Sequence, residues 1–148
     1  MALYLEDLSP GQRFTAGPLT VTAEEIVAFA RQYDPQPFHL DPEAAKAHLF
    51  GGLVASGWHT AALTMRLVTQ ALEGLAWGVV GGGGDLQWPR PVRPGESLHL
   101  EVEVLEVTPS RSRPDRGTVL VRNTTRVGSG EPVFVFTPRL VVPRRPQE

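Results

Sequence analysis

One long segment with apolar or small side chains on nearly every helical face most constrains the fold of this chain. It begins at Ser56 or Gly57 and runs to about Glu73. Its expected packing residues are Ala61, Ala62, Met65, Val68, Leu72 and Leu75. A helix of this kind is buried on most sides. After Gly74 the apolar residues recur with period two, which predicts strands. These strands cover residues 98–107, 119–127 and 133–142.

Helices grouped before a run of strands indicate an α+β fold. We expect an antiparallel sheet of three or four strands curled around the central buried helix. Such a sheet leaves a strand edge open, and natural proteins usually cover or pair their edges. The sequence therefore predicts at least a homodimer with a continuous sheet.

The size and composition of the chain narrow its function further. Its 148 residues suit one domain, which we assign to residues 1–148. A net charge of −2 without a basic stripe argues against a nucleic-acid partner. The absence of cysteine excludes disulfides, thiolate nucleophiles and cysteine-ligated metals. The N-terminus lacks signal-peptide character and no apolar run is long enough to span a bilayer, so we expect a cytoplasmic protein without membrane contact.

The segment before the buried helix contains two shorter helices with a proline-rich loop between them. Thr22 and Glu25 have the spacing of a capping box, which predicts the start of the first helix. That helix is expected to end before Asp34, because a following proline disfavours helical geometry. Residues 34–39 are predicted to be a rigid non-helical loop, since two prolines interrupt them. Asp41 then caps a second short helix.

Asp34 and His39 are the first candidates for chemistry. A carboxylate and an imidazole held on a rigid loop can together bind one water molecule and transfer its proton. An alternative is purely structural: Asp34 forms a turn before proline, and His39 is hydrogen-bonded near the start of the next helix. The spacing of the two residues does not decide between these interpretations.

Ser56 and Gly57 lie at the predicted start of the buried helix. The first N–H groups of a helix have no internal partner, and the helix dipole favours negative charge there. The Gly57 N–H is therefore a candidate donor to a carbonyl oxygen that develops negative charge. Ser56 also suits a simple helix cap, with Gly57 allowing close packing. His59 lies in the first turn, where it either packs or contacts a bound molecule.

Three other features carry weaker functional hypotheses. Gly81–Gly84 lack the Gly-Lys-Ser/Thr sequence of a phosphate loop and are better explained as a bulged strand near another backbone. His48, expected on the surface of the short helix, and the other histidines match no metal-ligand spacing, so no metal site is expected. Arg90 and Arg93 are the right residue type to contact nucleotide phosphates, but exposed arginines are far commoner than phosphate ligands.

Three ordered motifs resemble the MaoC-like dehydratases and (R)-specific enoyl-CoA hydratases. They are residues 33–45 (YDPQPFHLDPEAA), 52–60 (GLVASGWHT) and 90–96 (RPVRPGE). The resemblance covers roughly residues 10–140. It implies a hot-dog fold, at least a dimer, a coenzyme A thioester substrate and no cofactor.

The same resemblance assigns roles to individual residues. It implies that Asp34 and His39 form the catalytic pair and that the Gly57 N–H, with Ser56 beside it, binds the thioester carbonyl. The implied reaction is the reversible hydration of a trans-2-enoyl thioester. This chain departs from the common family motif at Gln36, where asparagine is usual. The longer side chain of Gln36 can shift the loop or the hydrogen bonds of His39. Gln36 and His59 are also candidates for contact with the substrate.

Two other functions compete with hydration. One is a hot-dog thioesterase, in which a carboxylate activates water against the thioester carbonyl. Enzymes of that type usually take the carboxylate from the central helix, and residues 58–72 contain no Asp or Glu. The other is a non-catalytic acyl-CoA-binding or regulatory domain. The presence of both Asp34 and His39 argues against it.

Overall fold

The computed structural model describes residues 1–148. The helices are α1 (Ala23–Tyr33), α2 (Pro37–Leu40), α3 (Pro42–Lys46) and α4 (Gly57–Ala71), preceded by a 3-10 turn at Leu5–Asp7. The strands are β1 (Arg13–Thr20), β2 (Gly81–Gln87), β3 (Ser97–Pro109), β4 (Arg116–Val127) and β5 (Pro132–Pro143). No helix combines the length and apolar character needed to cross a membrane.

All five strands form one antiparallel sheet in the order β1-β3-β4-β5-β2. The curled sheet packs against α4, which contacts β1, β3, β4 and β5. The predicted α+β class and hot-dog fold are therefore confirmed. The sheet has five strands and not the predicted three or four, because β1 from the N-terminal segment also joins it.

The alternating pattern of the long strands places their apolar side chains between sheet and helix. In β3, Leu98, Leu100 and Val102 are buried, whereas His99 is exposed. From α4, Leu67 and Val68 contribute to the same core. Each fully buried side chain of this kind contributes about 1.5–3 kcal/mol relative to exposure. This core fixes the position of α4 and hence of its N-terminus.

The strand β1 was absent from the sequence prediction. Its pairing with β3 shifts register between Ala16 and Leu19, where Gly17 and Pro18 interrupt it. Gly17 has a φ of 114° and a Cβ there would lie 2.7 Å from the Leu98 carbonyl oxygen. These residues weaken the alternating pattern because glycine and proline are unusual inside strands.

Residues 37–39 correct the prediction of a wholly non-helical loop. They form most of the single turn α2, with Pro37 in its first turn. Proline is compatible with this position because the first helical N–H needs no partner and the fixed φ suits a helix. The irregular segment is therefore only Asp34–Gln36, and Asp41 caps α3 as predicted through its side chain and the Glu43 N–H.

The expectation that α4 is buried on nearly every face is wrong for the single chain. Trp58 is 58% exposed and Met65 is 44% exposed. Arg66 lies on the same open side of the helix. The sheet covers one face of α4, which takes the buried side chains His59, Thr60, Leu63, Thr64, Leu67 and Val68.

The glycine-rich segment lies in β2, as the bulged-strand interpretation predicts. Pairing with β5 shifts register between Gly81 and Gly84. A Cβ at Gly84 would lie 2.6 Å from the Cα of Pro138, so the two backbones approach too closely for a larger residue. β2 is also an edge strand, and most of its residues are exposed.

Candidate functional site

The end of α1 positions Asp34. Thr22 caps the helix by accepting a hydrogen bond from the Glu25 N–H at 3.2 Å. At the other end, the Asp34 N–H still donates to the Ala30 carbonyl at 2.8 Å, although Asp34 itself has left helical geometry. The carboxylate is therefore anchored by the last turn of α1 while Pro35 prevents the helix from continuing.

The single turn α2 places the imidazole of His39 against this carboxylate. The His39 side chain is only 6% exposed, and its Nε2 lies 3.4 Å from Asp34 Oδ2. Its Nδ1 lies 2.7 Å from the Val54 carbonyl oxygen. Because a carbonyl only accepts hydrogen bonds, Nδ1 carries the proton. In the neutral ring, Nε2 is therefore an acceptor that faces Asp34.

The Asp34 carboxylate is 18% exposed and remains ionised. Partial burial raises its pKa, but the Ser56 hydroxyl, the Gln36 amide and the His39 ring outweigh that effect. The net pKa of Asp34 is below its usual value. Gln36 Nε2 donates to Asp34 Oδ1 at 2.5 Å, which leaves Oδ2 as the oxygen nearest His39.

The N-terminus of α4 supplies a backbone donor. Ser56 caps the helix, as predicted, by accepting from the Trp58 N–H at 3.2 Å. The Gly57 N–H is the first of the helix and has no acceptor within the protein. Unpaired N–H groups at the start of a 15-residue helix stabilise negative charge.

One cavity brings these groups together. It has a volume of about 540 Å³ and is lined by Asp34, His39 and Gly57. Aromatic rings form much of the remaining wall, contributed by Phe38, Phe50, Trp58 and Trp88. The arrangement combines two proton acceptors, one free backbone N–H and apolar walls in a single space. Such a site can hold a water molecule beside a carbonyl compound.

The other predicted site residues lie around this cavity. Ser56 is fully buried and caps α4, while Gln36 is exposed and bonded to Asp34. His59 lies outside the cavity lining, with its ring stacked on Phe29 at 4.6 Å between centroids. No cluster of three or more His, Asp or Glu side chains is arranged to hold a metal ion.

The aromatic walls were not predicted from the sequence. Trp88 and Phe50 come from segments remote from the Asp34 loop, and nothing in their local pattern indicates a shared cavity. His48 is exposed, as expected, but lies beyond the end of α3 and stacks on Phe38 at 4.0 Å. Helical periodicity could not indicate this position because the chain has left the helix there.

The two arginines considered for phosphate binding have protein partners. Arg90 forms a two-pronged ion pair with Glu96 at 2.9 and 2.6 Å and approaches Glu131 at 3.3 Å. Arg93 donates to the Phe50 carbonyl at 2.7 Å. The ion pair between Arg90 and Glu96 therefore connects the segment after β2 to the turn before β3.

His59 makes stability depend on pH. Burial lowers its pKa from 6.5, with Glu25 acting in the opposite direction, and its Nδ1 has no partner. The unfolded chain therefore binds a proton more readily than the folded one. This part of the stability is present above about pH 6.5 and is lost as pH falls through the lowered pKa.

A His59→Phe variant keeps a ring against Phe29 but cannot titrate. We expect its urea midpoint to change less than that of the wild type between about pH 7.5 and pH 5.5. Chemical denaturation at several pH values measures the difference. Equal pH dependence in the two proteins would show that His59 does not control it.

Comparison with known proteins gives a consistent assignment. The model of the MaoC-like domain matches residues 7–127. A 3-hydroxybutyryl-CoA dehydratase of Methylorubrum extorquens is 33% identical over 112 residues, which cover 75% of this chain and 69% of that protein.

Two solved structures are similar over nearly the whole chain. A MaoC-like dehydratase from Rhodospirillum rubrum superposes with a TM-score of 0.95 at 53% identity, covering 99% of this chain and 100% of that one. The R-hydratase PhaJ1 from Pseudomonas aeruginosa gives a TM-score of 0.76 at 26% identity, covering 97% and 88%. With the family model matching most of its length, the chain belongs to the MaoC-like dehydratase family.

Proposed function

We propose that the cavity binds an acyl thioester and that Asp34 and His39 add water to its trans-2-enoyl group. The product is an (R)-3-hydroxyacyl thioester, and the reverse reaction is its dehydration. The observation that carries the proposal is the 3.4 Å approach of Asp34 Oδ2 and His39 Nε2 in a cavity that Gly57 also lines. Hydration is redox-neutral, so the proposed reaction needs no redox cofactor.

The geometry of the pair supports water as the bound reactant. When the His39 ring carries a proton only on Nδ1, its Nε2 and the Asp34 carboxylate are two acceptors that face one another. A water molecule can donate one hydrogen to each and so relieve the contact between them. Its oxygen lone pair is then free to attack carbon. The apolar walls of the cavity limit competition from other water molecules.

The proposed reaction proceeds by conjugate addition. As the water oxygen bonds to C3, one water proton passes to the Asp34–His39 pair. The electrons of the C2–C3 double bond move toward the thioester oxygen and form an enolate. The pair then delivers a proton to C2, which restores the thioester and returns the pair to its starting state. The net change is addition of H to C2 and OH to C3.

The Gly57 N–H has its role at the enolate stage. The thioester oxygen gains negative charge there, and a backbone donor at the start of α4 stabilises that charge more than the neutral carbonyl. The helix dipole acts in the same direction. Binding that strengthens during the reaction accelerates the chemical step and not only substrate binding.

Coenzyme A is the carrier we propose for the acyl group. Support comes from the similar protein of M. extorquens, which is named as acting on 3-hydroxybutyryl-CoA. A short, unbranched enoyl group is therefore the first substrate to test. The thioesterase alternative has less support, because α4 from Gly57 to Ala71 carries no carboxylate that could activate water at the carbonyl.

Enone absorbance of crotonyl-CoA tests the proposal. We expect the purified protein to decrease this absorbance while a thiol-trapping reagent detects no free coenzyme A. Thiol release without hydration would identify a thioesterase instead. If neither signal changes with crotonyl-CoA or longer enoyl-CoA substrates, the hydratase proposal is wrong and a binding domain becomes the better explanation.

We also propose that two copies of the chain associate along β2. This strand is an edge of the sheet and is largely exposed. Both edge strands have a register shift, but the opposite edge, β1, also contains Pro18, which has no N–H to donate to another strand. Sedimentation equilibrium is expected to give about twice the chain mass of 16.1 kDa. The mass of a single chain at micromolar concentration would contradict the proposal.

A further inference from the structure

The indole of Trp88 is joined to the first turn of α4. Trp88 follows the end of β2, and its Nε1–H donates to the Gly57 carbonyl at 2.8 Å. The ring also lies against the Gly57 backbone. A Cβ at Gly57 would lie 2.7 Å from Trp88 Cε2 and 2.9 Å from Nε1. The absence of a side chain at Gly57 is therefore what allows this contact.

Neighbouring rings hold the indole from two sides. Trp58, on α4, meets it edge-on at 5.2 Å between centroids and an interplanar angle of 87°. Phe134, on β5, lies 5.7 Å away on a tilted plane. Aromatic pairs at these distances are attractive and restrict ring orientation. Trp88 is still 39% exposed, and it connects the sheet to the helix N-terminus along the side of the ring that these contacts cover.

The contact fixes one particular peptide group. The peptide between Gly57 and Trp58 has its carbonyl bonded to Trp88 and its N–H bonded to the Ser56 hydroxyl at 3.2 Å. Both ends of this peptide are thus held. The neighbouring Gly57 N–H, one residue earlier, is left without a protein acceptor, and Gly57 is one of the residues that line the cavity. Its direction depends on the peptide that Trp88 and Ser56 hold.

We propose that Trp88 is a positioning residue, which holds Gly57 so that its N–H stays directed at the thioester oxygen. The inference rests on the proposed hydration and adds a residue that acts through Gly57 and not on the reacting atoms. A donor that moves by a fraction of an ångström loses more transition-state than ground-state stabilisation. The loss is therefore expected in kcat, with little change in KM.

A Trp88→Phe variant tests this role, because it keeps an aromatic ring but removes the indole N–H. With crotonyl-CoA, we expect kcat to fall about tenfold or more, while KM changes by less than about threefold. Trp77→Phe is the matched control. Trp77 is exposed, contacts Arg116 and lies outside the cavity, so its variant keeps the wild-type kcat.

The outcomes separate this inference from the proposed reaction. An active wild type with an equally active, folded Trp88→Phe variant would overturn the role of Trp88 alone. Equal losses in Trp88→Phe and Trp77→Phe would also overturn it, since they would indicate a general effect of removing an indole. A wild type without hydratase activity on any enoyl-CoA would contradict the reaction and the positioning role together.

A measurement on the wild type covers the case in which Trp88→Phe does not fold. The Trp88 indole N–H should exchange with deuterium more slowly than that of Trp77, which has no hydrogen-bond acceptor. Nuclear magnetic resonance resolves the indole signals, and the Trp58→Phe and Trp77→Phe variants assign them. Exchange of the Trp88 signal as fast as that of Trp77 would show that the bond to Gly57 is not maintained.

Discussion

Replacing Asp34 by asparagine lowers kcat for crotonyl-CoA hydration by about 10²-fold or more. The amide has nearly the shape of the carboxylate, but it cannot take a proton from water. It also turns one acceptor of the pair into a donor whenever its nitrogen faces His39. Because Asp34 is only partly buried and its backbone is held by Ala30, we expect the variant to fold.

The same loss is expected for His39→Ala, which removes the Nε2 acceptor. If the two residues act as a unit, the double variant is hardly less active than either single variant. Steady-state kinetics and circular dichroism on all three proteins measure the effect and check the fold. Independent losses that multiply in the double variant would contradict the paired role.

Asp41→Asn is the matched control for Asp34→Asn. Asp41 lies seven residues further along the chain, is exposed and caps α3 outside the cavity. Asparagine caps helices about as well as aspartate, so the stability of α3 is preserved. We expect wild-type kcat for this variant. Full activity in Asp34→Asn would exclude Asp34 from the chemistry.

The second large effect is expected for Gly57→Ala, with kcat falling by about 10²-fold. Its backbone has no left-handed φ, and alanine is the better helix former, so local helix propensity does not cause the loss. The added methyl instead meets the Trp88 ring at 2.7 Å, and Trp58 and Phe134 limit the movement of that ring. The start of α4 must then shift.

Gly128→Ala provides the control for this substitution. A Cβ at Gly128 meets no atom within 4 Å, and its φ is not left-handed. We expect unchanged kcat in that variant and an unchanged urea midpoint. Urea denaturation of Gly57→Ala separates a displaced helix end from a loss of fold. A stable Gly57→Ala protein with wild-type kcat would exclude the close contact as a determinant of activity.

The sequence predicts the long strands well because burial on one face imposes a period of two. Thus β3, β4 and β5 appear where their apolar residues alternate, although each observed strand extends beyond the predicted limits. The added ends include Arg116 and Pro143, which pair with each other, but the residue types there do not continue the apolar–polar alternation. β1 was missed since Gly17 and Pro18 break its pattern, and its partner β3 lies some 80 residues away.

For the candidate site, local sequence patterns select single side chains and helix caps. The proline-bounded loop and the helix start make Asp34, His39 and Gly57 candidates, and only the family resemblance assigns them roles. Two other features depend on distant backbone groups. The proton on His39 Nδ1 is fixed by the Val54 carbonyl, and the direction of Gly57 depends on Trp88. Carbonyl groups have no sequence signature, so only the folded structure reveals these contacts.

The exposed side of α4 shows a further limit of sequence patterns. An apolar helix surface predicts that the helix is buried, but it does not indicate which part of the protein covers that surface. In the single chain, Trp58 and Met65 remain exposed although the opposite face is packed against the sheet. Composition alone therefore overestimated how much of this helix the sheet itself covers.

The most direct test of the account follows the fate of the water oxygen. Crotonyl-CoA is incubated with the wild-type protein in water enriched in oxygen-18, and the product is analysed by mass spectrometry and chiral chromatography. The account predicts (R)-3-hydroxybutyryl-CoA with the label on C3 and the thioester intact. Labelled crotonic acid with free coenzyme A, or unlabelled crotonyl-CoA recovered unchanged, would contradict the proposed hydration.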